Sequence, residues 1–123
     1  MTSALIRGLR GATTCAADTP ELIAEATQEL LRAMMARNGL DHDDVVSVLF
    51  TTSPDLTSAF PATGARGVGF GDVPLLCARE LRIEHGMARC IRVMMHCYSD
   101  RPRDQLHHVY LDGARALRDD LPE

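Results

Sequence analysis

Four polar side chains stand at or beside apolar, strand-like runs of this 123-residue sequence: Arg10, Glu80, Arg92 and Tyr110. Arginine presents paired N–H donors that match a carboxylate, and tyrosine adds a neutral donor. With Glu80 as the opposite charge, the set suits the grip of a small polyanion. Arg92 is the most telling member, because Cys90-Ile91-Arg92-Val93-Met94-Met95 reads as an interior β-strand and a guanidinium cannot discharge. An unpartnered ion buried there costs several kcal/mol even after relaxation. The run therefore predicts either a fixed internal carboxylate, for which Glu80 is the obvious residue, or a site where an anion arrives.

Most hydrolytic machinery is missing. There is no serine elbow, no cysteine with an evident histidine partner and no spaced His/carboxylate group resembling a metal site. All thirteen basic residues are Arg, so amine-nucleophile and Schiff-base chemistry lacks its lysine. Nothing near Cys77 in sequence would activate its thiol. His96 and Cys97 make poor ligands, and His107 and His108, adjacent on a strand, point to opposite faces. A reaction that needs only positioning and electrostatics fits these residues best.

Composition narrows the partners. The net charge is −4 and no basic cluster is joined to exposed aromatics, which argues against nucleic acid. No stretch approaches the roughly 18 apolar residues of a membrane span, so neither export nor insertion is expected. Cys15, Cys77, Cys90 and Cys97 form no C-x-x-C pair and suit a reducing cytoplasm.

The elements that must position these side chains follow from local signals. Residues 4–13 alternate as a first strand, with Ile6, Gly8 and Arg10 on one face and Leu5, Arg7 and Leu9 on the other. Only one of the two arginines can face a cleft, and Arg7 is read as structural or interfacial. Thr19-Pro20-Glu21 starts a helix and Asn38-Gly39 ends it; Leu22, Ile23, Ala26, Leu30, Ala33 and Met34 recur between them at helical spacing. Asp41 to Asp44 predicts a short helical turn, and Val45 to Thr52 an interior strand ended by Pro54. Ser58 to Gly71 reads as a short helix or 3₁₀ segment followed by a mobile loop. Further strands are expected at Pro74 to Cys77, around Arg92 and at Leu106 to Leu111, before a tail that frays. Met34-Met35 and Met94-Met95 read as core filler.

Six segments then acquire meaning as a set: Arg7-Gly8-Leu9-Arg10-Gly11-Ala12-Thr13, Pro54-Asp55-Leu56, Phe60-Pro61-Ala62, Cys77-x-x-Glu80, Cys90-Ile91-Arg92-Val93-Met94-Met95 and His108-Val109-Tyr110-Leu111. In order and spacing they resemble the monofunctional AroH-type chorismate mutases over nearly the whole chain. The resemblance implies one α/β (α+β) domain spanning residues 1–123, with a mixed sheet packed against one long helix and a flexible tail from about residue 118. It implies a homotrimer, a pseudo-α/β-barrel with active sites in clefts between subunits. It implies an isomerase acting in the cytoplasm at the prephenate branch of aromatic amino-acid synthesis, by Claisen rearrangement of chorismate, with no metal and no cofactor.

Site roles carried by the resemblance are specific. Arg92 would face the ether oxygen, Arg10 and Tyr110 the enolpyruvyl carboxylate, and Glu80, with Cys77 beside it, the ring hydroxyl. The backbone from Leu76 through Cys77, Ala78 and Arg79 to Glu80 would add contacts. Phe60, Ala62, Arg66, Leu117 and Arg118 would form the wall and mouth of the cleft. Two positions depart from the family: Thr63 replaces a lysine, and Leu76 stands where a threonine is usual. Two alternatives stand beside this reading: a non-catalytic carboxylate-binding regulatory module, which predicts the same arginines, and a trimeric imine deaminase of the RidA type, which shares the architecture and an arginine for a carboxylate.

Overall fold

Local signals bound the long helix of the computed structural model, which describes residues 4–118. The five strands are β1 (Leu5–Thr14), β2 (Val45–Thr52), β3 (Leu75–Arg79), β4 (Cys90–Ser99) and β5 (Val109–Tyr110). The helices are α1 (Pro20–Arg37) and the single-turn α2 (Pro61–Ala65). At the start of α1 the Thr19 hydroxyl accepts the Leu22 N–H at 3.2 Å and Pro20 opens the first turn. At its end Gly39 takes φ +60, which a side chain would resist. None of the described helices is long and apolar enough to cross a membrane.

The strands form an open mixed sheet in the order β3-β2-β4-β1-β5. β1 and β2 run antiparallel to β4, while β3 is parallel to β2 and β5 parallel to β1. The helices cover one face. Leu30, Leu31 and Met34 of α1 and Ala62 and Ala65 of α2 join Leu9, Val48, Phe50, Val93, Met95 and Cys97 in the main core. Gly11 permits this contact, since a Cβ there would lie 2.5 Å from the Met34 sulfur. Gly64 likewise lets α2 approach α1, where an added Cβ would meet the Ala24 Cα at 2.9 Å.

Strand alternation sends the other residues to the opposite, open face: Arg10 and Ala12 from β1, Leu49 and Thr51 from β2, and Arg92 and Met94 from β4. The expectation that Arg92 lies in the interior is therefore corrected. Its strand is central, but one sheet face lacks a covering layer among the described residues, and the side chain is 46% exposed. Met94, read as core filler, also lies on this face, whereas Met95 is fully buried.

Two other expectations change. Leu106 to Leu111 is strand only at Val109–Tyr110. The cause is Asn38, buried after α1, whose side chain donates to the His107 carbonyl at 2.9 Å and accepts the His107 N–H at 2.7 Å. Those backbone groups are taken by an amide side chain instead of a neighbouring strand. Residues Asp112–Arg118 form a 3₁₀ helix, with Ala114 and Leu117 packed on Ala12 and Tyr110. The fraying expected of the tail beyond it lies outside the described residues. Between α2 and β3, Arg66–Phe70 continues the helix irregularly, with Gly69 at φ +99.

Arg7 is a structural residue here. Its Nε donates to the Arg101 carbonyl at 3.2 Å, and Arg101 in turn donates to the Arg37 carbonyl. The helix end and the strand edge are thereby tied together.

Candidate active site

The open face carries a cavity of about 240 Å³ lined by Arg10, Ala12, Thr51, Arg92, Tyr110 and Leu117, among others. Five separate elements converge there. β1 supplies Arg10, β2 supplies Thr51, β4 supplies Arg92, β5 supplies Tyr110 and the last 3₁₀ helix supplies Leu117. The sheet register explains the convergence: Ala12 pairs with Arg92 on one side and with Tyr110 on the other. Tyr110 is largely buried and lines the cavity.

The electrostatics favour an anion. Arg10 forms no ion pair among the described residues, and Arg92 forms one through Nε alone, to Glu80 Oε2 at 3.1 Å. The terminal guanidinium nitrogens of both residues keep donors free of carboxylate partners, and these donors suit an incoming carboxylate. The Arg10 backbone is anchored by donating its N–H to His108 Nδ1 at 2.9 Å. Burial, then the charge of Arg10, holds the His108 pKa below its ordinary value, which keeps that nitrogen free to accept.

Glu80 and Arg92 are thus near neighbours. Glu80 follows β3, where its N–H donates to the Thr52 carbonyl at 3.0 Å, and its carboxylate opens into an adjoining cavity of about 570 Å³. Arg92 is the wall shared by the two cavities. The carboxylate partner considered for Arg92 from sequence is present, while the terminal N–H groups are left for a ligand.

Other residues expected at the site lie elsewhere in the fold. Cys77 packs against the main core, on the opposite strand face from the exposed Leu76. Cys77, Ala78 and Arg79 border a separate cavity of about 420 Å³ together with Phe60, whose ring is 70% exposed. Ala62 is buried in the main core, and Arg66 and Thr63 are exposed. The fold of the chain does not bring Phe60, Ala62 or Arg66 to the cavity of Arg10, Arg92 and Tyr110. The Arg118 side chain lies outside the described part.

Asp55 had no role assigned from sequence, and it supports the site from below. Both of its carboxylate oxygens accept the Arg89 N–H, at 2.9 and 3.1 Å, and one also accepts the Ser53 hydroxyl at 2.5 Å. Arg89 has φ 48, an uncommon value for a side-chain-bearing residue, and it immediately precedes β4. Burial pushes the Asp55 carboxyl up, but the bonds from Ser53 and the Arg89 N–H outweigh it, and the pKa falls below the ordinary carboxylate value. The Pro54-Asp55 turn signal pointed to the place, but the strained backbone three residues before Arg92 is a tertiary feature.

Comparison with known proteins gives the family of the chain. Residues 6–121 match the family model for chorismate mutase type I. Chorismate mutase AroH of Thermus thermophilus is 48% identical over 118 residues, covering 95% of this chain and 97% of the relative. Chorismate mutase AroH of Bacillus subtilis is 43% identical over 118 residues, covering 95% and 93%. The solved chorismate mutase from Clostridium thermocellum superposes with a TM-score of 0.88 at 42% identity, over 89% of this chain and 98% of that one. The chain belongs to the type I chorismate mutases, a family of isomerases.

Proposed function

We propose that this protein rearranges chorismate to prephenate by electrostatic preorganisation, with its complete sites formed between the subunits of a homotrimer. The reaction is unimolecular: the ether C–O bond breaks as a new C–C bond forms, and no atom is gained or lost. Side chains need only fold the substrate into a reactive conformer and oppose the charge that develops in the transition state.

Arg10 and Tyr110 hold the enolpyruvyl carboxylate, so the two reacting carbons are brought together before the bond changes begin. The terminal N–H groups of Arg92 face the ether oxygen, where negative charge grows as the C–O bond lengthens. Glu80 accepts the ring hydroxyl and sets its negative charge against the ring, which becomes relatively positive. The joint lining of one cavity by Arg10, Arg92 and Tyr110 carries this assignment.

Support for a shared site comes from what one subunit leaves exposed. Ile6, Leu76 and Tyr98 present large apolar side chains to solvent, as does Phe60 on the α2 side. In the trimer these surfaces are covered, and Phe60 and Arg66 of a neighbouring subunit contribute the wall and mouth of the cleft, with Leu76 to Arg79 adding backbone contacts. The substrate and product place the protein at the prephenate branch of aromatic synthesis. Its four free cysteines suit the reducing cytoplasm.

The test follows chorismate absorbance with purified protein while prephenate is quantified. Stoichiometric conversion is the expected result. Binding of chorismate without consumption would favour a regulatory carboxylate-binding module instead.

A further inference from the structure

Thr51 belongs to neither the arginine set nor the motifs that brought the site to light, yet it touches the charged pair directly. Its hydroxyl donates to Glu80 Oε2 at 2.7 Å, the same oxygen that Arg92 Nε reaches at 3.1 Å. Thr51 lies opposite Arg92 across the β2–β4 pairing and opposite Ala78 across the β2–β3 pairing. It also lines the cavity that holds Arg10, Arg92 and Tyr110.

A hydrogen bond and an ion pair on one oxygen do what the ion pair alone cannot. The terminal torsion of a glutamate is broad and nearly two-fold, so a single contact to Arg92 is satisfied equally well by either oxygen or by a swinging carboxylate. With Thr51 on β2 and Arg92 on β4 both engaging Oε2, the group is held from two strands. Oε1 then accepts no hydrogen bond from a described residue. A threonine bonded only for its own satisfaction would ordinarily use a backbone carbonyl; here the hydroxyl serves a carboxylate.

We propose that Thr51 is a positioning residue of the reaction. It fixes Oε2 of Glu80 so that Oε1 is presented to the ring hydroxyl. It also keeps Arg92 tethered through Nε, with the terminal N–H groups turned toward the ether oxygen. Thr51 touches no reacting atom and acts through Glu80 and Arg92. The proposal rests on the rearrangement proposed above and adds a determinant of its geometry.

The experiment compares Thr51→Val, which keeps the β-branched shape and removes the donor, with Thr51→Ser, which keeps the donor. Thr51→Val is expected to lower kcat by about tenfold to a hundredfold, the range spanned by hydrogen bonds to charged groups, with KM changed less than about twofold. Thr51→Ser is expected to recover most of the rate. In a Glu80→Ala background the valine substitution should cost less than about twofold more, because the two residues act as one unit. Thermal unfolding of each variant separates a folding defect from a positioning defect, and Thr51→Ala provides a second donorless variant should valine pack poorly.

Wild-type kcat in both donorless variants would overturn the proposal, as would equal losses with and without Glu80. The same cycle, read as prephenate affinity by calorimetry, keeps this question apart from the reaction itself. A wild type that binds prephenate but does not consume chorismate overturns the reaction reading, while coupling in affinity between Thr51 and Glu80 still decides the role of Thr51.

Discussion

Arg92 and Glu80 meet in one ion pair, Nε to Oε2 at 3.1 Å, on the uncovered face of a five-stranded sheet. That contact uses the side nitrogen of the guanidinium and leaves its fork free of carboxylate, so the pair is joined without cancelling the site.

Arg92→Lys is expected to fail for this reason. An ammonium offers a point charge and cannot hold Glu80 sideways while presenting a planar pair of donors forward. Loss of one preorganised donor at a developing oxyanion typically costs about 3 to 4 kcal/mol. Chorismate consumption by the variant should therefore fall by roughly two to three orders of magnitude. A rate near that of wild type would remove Arg92 from the chemistry.

Asp55→Ala tests whether the strained entry to β4 matters to the site. The substitution leaves the Arg89 N–H without its carboxylate and the Ser53 hydroxyl without its acceptor. Hydrogen bonds to a charged group contribute about 1.5 to 3 kcal/mol, and a loss in that range should appear in chemical denaturation. Since Arg89 precedes the strand that carries Arg92, kcat should fall as well. Unchanged stability would show that the clamp is dispensable.

Gly64→Ala should destabilise the protein by about 1 to 3 kcal/mol, the usual cost of overpacking. The new Cβ would stand 2.9 Å from the Ala24 Cα and 3.0 Å from its carbonyl oxygen, and backbone cannot yield as a flexible side chain can. Gly11→Ala meets mainly the mobile ends of Met34 and Leu30 and should cost less. Equal denaturation midpoints for Gly64→Ala and wild type would count against this packing account.

Stability should respond to pH with opposite signs at two histidines. The His108 pKa is lowered, by burial first and then by Arg10. The unfolded chain therefore takes up this proton more readily, and stability is lost as pH falls below the ordinary histidine value near 6.5 toward the lower folded one. The His42 pKa is raised, by hydrogen bonds to Asp43 and Asp72. Its contribution is complete below about 6.5 and disappears as pH rises through the raised value. Denaturant midpoints measured across pH should lose their acid-side decline in His108→Asn and their alkaline-side decline in His42→Asn. Curves parallel to wild type would refute both assignments.

Much of the architecture was legible because its causes are local. Thr19 and Pro20 start α1 and Asn38-Gly39 end it through backbone geometry that neighbours in sequence specify. Alternation along β1 separated Arg7 from Arg10 correctly, since a strand sends adjacent side chains to opposite faces whatever it packs against. The strand expected over Leu106 to Leu111 shortened because Asn38, remote in sequence, captures the backbone at His107.

By itself, then, the sequence determined the element order, the alternation of each strand and the residues that could bind an anion. The tertiary structure alone decided which sheet face α1 covers, and so that Arg92 stands half-exposed instead of buried. It alone placed Thr51 against Glu80 and Asp55 against Arg89. Caps and alternation are set within a few residues of chain, whereas burial and charge pairing depend on segments that meet only when the sheet is assembled.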